Sequence, residues 1–120
     1  MVETIGMTEK TGMTEKTGPF RVMLRMQIRP GAEEDYERTW LKVGKAITDH
    51  PANIGQWLLR SNEEEGVYYI VSDWTDEARF REFERSDAHL EHRKQLHPYR
   101  TGGAMWTMRV VFHMRGAATS

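Results

Sequence analysis

At 120 residues the chain suits one domain of the usual size, roughly 100–200 residues, which excludes two independent catalytic domains. Lys and Arg number 17 against 18 Asp and Glu, a formal charge of −1, so no global positive field gathers a nucleic acid or an acidic bilayer, and neither is expected as a partner. The absence of cysteine removes disulfide scaffolds, zinc ribbons, thiol nucleophiles and iron–sulfur ligation together.

The hydrophobic content of 38% is low, and the deficit is concentrated at the start of the chain. Met7–Gly12 reads MTEKTG and Met13–Gly18 repeats it. The copy is too short and polar for a solenoid unit, and Thr and Gly are weak helix formers, so residues 1–18 are expected to be a disordered extension ahead of one domain over 19–120. Glu3, Glu9, Glu15, Lys10 and Lys16 belong to that extension, which leaves the remainder formally neutral. It lacks the apolar run of a secretory signal, and nothing approaches the roughly 18 apolar residues of a membrane span, so a cytoplasmic protein is expected.

From Phe20 the pattern changes. Phe20, Val22, Leu24, Met26 and Ile28 alternate with Arg21, Met23, Arg25, Gln27 and Arg29, the period of a strand with one apolar face. Pro30-Gly31 ends it. Glu33, Glu34 and Asp35 then precede the helical stripe Tyr36, Trp40, Val43 and Ile47, with Lys42 and Lys45 towards its end, charges that complement a helix dipole. His50-Pro51 stops that helix. Ile54–Ser61 and Val67–Trp74 read as a hairpin whose wet tip is Asn62–Gly66. Thr75 or Asp76 caps a second helix carrying Phe80 and Phe83, and Ser86-Asp87 reads as a break and fresh cap before Leu90 and Leu96. After Pro98 and Gly102-Gly103, the residues Ala104, Trp106, Met108, Val110, Phe112 and Met114 alternate with Thr107, Arg109 and His113 as a last strand.

Strand, helix, strand, strand, helix, strand is the order of an α+β, ferredoxin-like βαββαβ fold, a four-stranded antiparallel sheet with two helices on one face. Met23, Met105 and Val111 make the opposite sheet face partly apolar. A second copy of the sheet covers such a face most simply, so a two-fold homodimer is expected.

On the segments FRVMLRMQIRPGAEEDYERTW, HPANIGQWLLRS and above all YYIVSDWTDEARFREFERSDAHLEHR, the chain resembles the antibiotic-biosynthesis monooxygenase (ABM) family of dimeric α+β barrels, over about Phe20 to Met114. The resemblance implies a small aromatic polyketide substrate, molecular oxygen as co-substrate, and no metal, flavin or haem. An electron-rich phenolic substrate, once deprotonated, passes an electron to dioxygen itself, and the protein need only shape, desolvate and steer it. The sequence carries no GxGxxG or P-loop pattern. The family's Trp at the end of strand three matches Trp74, and its basic residue late in helix two matches Arg93. Two positions depart from that pattern: Ile70 stands where the family has a polar amide, and Phe80 where it has Tyr.

The run QLHPYRTGGAMWTM is somewhat similar to aromatic polyketide cyclases of the same fold, which need acid–base groups. His50, His89, His92 and His97 are candidates, although a solvated or capping side chain is the simpler account of any one of them. His50 and His89 join Trp74 and Arg93 as catalytic candidates. His89 and His92 are three apart on a helix but lack a third convergent ligand, so no metal is expected. Haem-degrading relatives use a helix-two His, roughly where His92 falls, but Phe83 stands where their second Trp would be. Trp57, Trp74, Trp106 and Tyr69 are aromatic enough to wall a flat-ligand cavity or to fill a plain core. Parity puts Tyr68, Ile70, Ser72 and Trp74 on one strand face and Tyr69 and Asp73 on the other. Trp74 is assigned to a cavity and Trp106 to core packing, while the row Arg21, Arg25 and Arg29 faces interface or solvent. Trp57, Tyr68, Ile70, Phe80, Phe83 and His92 complete the expected substrate-binding set. The resulting reading is a cofactor-independent monooxygenase of an aromatic polyketide intermediate; a cyclase and a non-catalytic intermediate-binding protein are the alternatives.

Overall fold

The computed structural model describes residues 18–118. The tandem repeat, apart from its final Gly18, and the disorder expected of it lie outside them. Four strands, β1 (Phe20–Ile28), β2 (Asn53–Arg60), β3 (Val67–Trp74) and β4 (Arg100–Arg109), form one antiparallel sheet in the order β2-β3-β1-β4. The helices are α1 (Glu33–Val43), the single turn α2 (Lys45–Thr48), α3 (Glu77–Glu84) and α4 (Asp87–Leu96), followed by a 3₁₀ turn over His97–Tyr99. The ferredoxin-like α+β order is therefore the one the periodicity predicts. Among the described residues no helix is long and apolar enough to cross a membrane.

The interrupted second helix follows from its caps. Asp76 accepts a hydrogen bond from the Arg79 backbone N–H at 2.8 Å and opens α3. Ser86 accepts from the His89 N–H at 3.2 Å while donating to the Phe83 carbonyl at 2.6 Å, closing α3 and opening α4 with one hydroxyl. Asp76→Ala is expected to lower stability by about 1 kcal/mol, read from urea denaturation midpoints. The first helix also divides, at Gly44, a break its continuous stripe Tyr36–Ile47 did not announce. A β-carbon at Gly44 would stand 3.0 Å from Gln56 Nε2, so glycine there admits a close approach from β2.

Register decides which side chains meet the helices. Val22 lies opposite Ser72 and Leu24 opposite Ile70, so these share the helix-facing side, as parity on β1 and β3 predicts. On β4 the expectation is reversed. Trp106 lies opposite Met23 and Met108 opposite Arg21, which puts the even-numbered apolar residues on the outer face, while Met105 faces inward opposite Leu24. Trp106 is 47% exposed and is not core. The apolar alternation looked the same on either face because both carry apolar residues, and only pairing with β1 fixes the side. The last strand also ends at Arg109; Val111, Phe112 and Met114 follow it exposed and outside the sheet.

The outer face combines the Arg21–Asp73 ion pair, made through two bonds of 2.6 and 2.8 Å, with exposed Trp57, Leu59, Trp106 and Met108. Arg25 pairs with Glu64 beside it, so this part of the arginine row faces away from the helices. Beneath the helices the core divides into two clusters. One holds Val22, Ile47, Ala52, Trp74, Phe80 and Phe83; the other holds Ile28, Tyr36, Tyr68 and Leu96.

Candidate active site

A cavity of about 390 Å³ lies between the sheet and the helices and is walled by members of both clusters. Val22, Leu24 and Met26 from β1, and Ile70, Ser72 and Trp74 from β3, make the sheet side. Phe80 and Phe83 from α3, and His89, His92 and Arg93 from α4, face them. Tyr36 and Trp40 from α1 and Gln56 from β2 complete the wall.

Trp74 is the centre of the aromatic part. It is 1% exposed, with ring centroids 5.4 Å from Phe80, 5.1 Å from Phe83 and 5.5 Å from His50. Its indole N–H donates to Ser72 Oγ at 3.0 Å, so the ring is pinned and offers a ligand a flat wall but no donor.

His89 and His92 stand one helical turn apart with rings stacked 6.2 Å centre to centre. Neither His89 Nδ1 nor either ring nitrogen of His92 has a protein partner, although all three atoms are buried. Burial lowers the His89 pKa, aided by the nearby Arg93 charge and opposed by Glu84. Burial, then the neighbouring His89, brings the His92 pKa down to about 4. Both imidazoles are therefore neutral near pH 7, each with a lone pair to accept a proton. Arg93 is exposed at the cavity's rim, where its guanidinium supplies positive charge.

Of the residues the sequence singles out, Trp74, Arg93, His89, Ile70, Phe80, Phe83 and His92 come together around this cavity, as does His97. Three others do not line it. His50 sits behind the wall, its ring against Trp74 and Phe83 and its Nδ1 accepting from the Ala52 N–H at 3.1 Å, so it braces a turn. Tyr68 is buried at the end of the core, edge-on to Tyr36 at 5.1 Å, with its hydroxyl bonded to Glu37 at 2.5 Å. Burial and that carboxylate push its pKa up to about 12, so it stays protonated. Trp57 lies opposite Val71 on the outer sheet face, 48% exposed, with the Arg21 guanidinium 5.9 Å from its ring. Tyr36, Trp40, Gln56 and Ser72 line the cavity without having been proposed as site residues. For Ser72 the parity with Trp74 was the available signal; for Gln56 it was the strand period carried across the hairpin from Trp74.

Among the described residues no group of three or more His, Cys, Asp or Glu side chains could hold a metal ion. His89 and His92 form a pair without a third ligand.

Comparison with known proteins matches residues 19–95 to the sequence model of the antibiotic biosynthesis monooxygenase family. Among solved structures the chain is similar to SnoaB, a cofactor-independent oxygenase from Streptomyces nogalater, with a TM-score of 0.73 at 18% identity, covering 83% of this chain and all 100% of that one. A Bordetella bronchiseptica protein assigned to the same family gives a TM-score of 0.74 at 21% identity over 80% of this chain and 100% of that one. A conserved protein from Methanosarcina mazei gives 0.69 at 16% identity over 76% and 91%. Among curated protein sequences there is no match. The match to the family model, spanning most of β1 through α4, and the shared fold place this chain in the antibiotic biosynthesis monooxygenase family.

Proposed function

We propose that the protein oxidises a small hydroxylated aromatic of the polyketide type with molecular oxygen, converting an anthrone- or phenol-like ring to a quinone without metal, flavin or haem. The observation that carries this reading is the cavity itself. An aromatic wall of Trp74, Phe80 and Phe83 faces two buried, neutral histidines, with a guanidinium at the rim. A flat polycycle gains burial and stacking from the wall. A neutral His89 or His92 takes the acidic proton of the substrate, and the Arg93 charge stabilises the resulting oxyanion and the reduced oxygen formed beside it. The electron-rich anion passes an electron to dioxygen and the two radicals combine at the ring carbon. One oxygen atom stays as the new carbonyl and the other leaves as water with the two hydrogens of the original methylene, so anthrone and O₂ give anthraquinone and H₂O with no outside reductant.

SnoaB, to which the fold is similar, is named a cofactor-independent oxygenase, and this supports the reading. The exposed Trp57, Leu59, Trp106 and Met108 support a homodimer built sheet to sheet, since a soluble monomer rarely leaves such a cluster open. A cytoplasmic domain over residues 19–120 with a separate extension completes the proposal. The neutral histidine pair also suits aldol chemistry, which keeps a polyketide cyclase as the second reading.

Labelling with ¹⁸O₂ separates the two. Oxygenation of 1,8-dihydroxyanthrone places one ¹⁸O in the quinone; a cyclase incorporates none and instead alters the product profile of a poly-ketone. Arg93→Ala is expected to lower kcat/KM for the labelled reaction roughly a hundredfold while leaving the fold intact, since the side chain is exposed. Unchanged turnover in that variant would remove Arg93 from the site.

A further inference from the structure

The buried polar side-chain atoms that lack a protein partner are not scattered. Among the described residues they belong to Tyr36, Trp40, Gln56, His89 and His92, and all five residues line the one cavity. Native structures satisfy buried polar groups, so five such residues converging on one space point to a ligand that completes them. The histidines are used by the chemistry above. The remaining three, Tyr36 Oη, Trp40 Nε1 and Gln56 Oε1, come from α1 and β2 and have no role in it.

Their polarity is fixed by covalent structure and by one hydrogen bond. Gln56 Nε2 donates to the Gly44 carbonyl at 2.9 Å, and a carbonyl oxygen can only accept, so the amide has one orientation and its oxygen is the free group. Gly44 is in turn bonded through its own N–H to the Trp40 carbonyl at 2.9 Å, which ties Gln56 to the end of α1. Trp40 contributes an N–H, a donor only, and Tyr36 lies one turn earlier on the same helix face. Burial raises the Tyr36 pKa, so its hydroxyl stays protonated. These three side chains therefore add one acceptor and two donors to the cavity lining, all uncharged, with the Arg100 guanidinium near Tyr36 as the neighbouring charge.

We infer that Gln56, Trp40 and Tyr36 form a subsite for a protonated hydroxyl of the aromatic ligand, which donates to Gln56 Oε1 and accepts from the Trp40 N–H and the Tyr36 hydroxyl. A phenolate has no proton for Gln56, so the subsite selects the neutral hydroxyl and leaves the group that loses its proton to the histidine and arginine side. The ligand is thereby oriented end to end. At about 390 Å³ the cavity falls within the usual small-molecule range of roughly 300–1,000 Å³ and has room for two or three fused rings. The inference rests on the reading that the cavity holds an oxygenated aromatic.

Isothermal titration under nitrogen at pH 7 with 2-naphthol and with 2-methoxynaphthalene tests it, because the ether keeps the rings and loses the donated proton. The wild-type protein is expected to bind the naphthol at least tenfold more tightly than the ether. Gln56→Met is expected to bring the two within about twofold, with affinity for the ether little changed. Trp40→Phe, which keeps the ring and loses only the N–H side, weakens naphthol and is the safeguard if the Gln56 variant folds poorly. Tyr36→Phe removes a buried hydroxyl without a partner, so it should raise the melting temperature of the free protein by a few degrees while weakening naphthol. Equal affinity for naphthol and ether in the wild type, or a preference that survives both Gln56→Met and Trp40→Phe, overturns the subsite. A lower melting temperature in Tyr36→Phe also overturns it, since the hydroxyl would then be partnered in the free protein. Binding of neither compound overturns the cavity reading beneath it as well.

Discussion

Trp74→Ala is expected to cost about 3–5 kcal/mol of folding free energy, the range for deleting a large aromatic from a packed core. The residue is 1% exposed and touches Phe80 and Phe83 of α3 and His50 of the turn after α2, all held by their own packing, so the space it vacates has no single neighbour able to fill it. The truncation also strands Ser72 Oγ, which loses the indole N–H it accepts. Domains of this size hold only some 5–15 kcal/mol in total, so the variant should lie near its unfolding threshold at 25 °C. Trp74→Phe retains most of the wall and should lose clearly less, which separates packing from the hydrogen bond. Urea denaturation followed by circular dichroism measures both. A loss below about 1 kcal/mol for the alanine variant would mean that Trp74 is not the centre of the aromatic wall.

The second large effect is acid lability traceable to His92. The folded pKa of about 4 lies below the ordinary value of 6.5 that the imidazole recovers on unfolding. Above pH 6.5 neither state takes up the proton and the residue leaves stability unchanged. Between pH 6.5 and about 4 the unfolded chain binds a proton that the folded chain does not, so stability falls as pH falls. The full loss across that window is about 3 kcal/mol. Below it both forms are protonated and no further loss comes from this group. His89 shifts in the same direction and adds to the slope. His92→Phe keeps a ring in the site and removes the titration, so its stability should fall much less than the wild type's between pH 7 and 4.5. Carboxylates titrating in the same window affect both proteins equally and cancel in the difference. Parallel pH profiles would show that His92 is charged in the folded protein, contrary to its burial.

Much of this was legible in the sequence. The period of two in Phe20–Ile28, the Ser86 cap and the parity of Tyr68–Trp74 each depend on local rules, and the structure follows them. What was not legible depended on pairing between distant segments. Trp106 and Trp57 are aromatic on alternating strands, and nothing in their own segments states which face of the sheet is covered; that is set by the partners Met23 and Val71. The break at Gly44 is likewise tertiary, since it exists beside Gln56 and the flanking helix stripe runs through it. The family resemblance drew attention to β3 and α4, where the family pattern places its functional residues. The polar groups of α1 and β2 lay outside that pattern, and Trp40 and Tyr36 read as ordinary members of an amphipathic stripe.

The proposed reaction needs dioxygen and the cavity's own side chains, and nothing else. An oxygen electrode reading on chelator-treated protein with 1,8-dihydroxyanthrone tests it most directly, with quinone followed by absorbance. Uptake well above the uncatalysed rate is expected, one O₂ per quinone, unchanged by the chelator and strongly reduced in Arg93→Ala. Uptake no faster than the uncatalysed rate, or uptake that vanishes on chelation and returns with added metal, would contradict it.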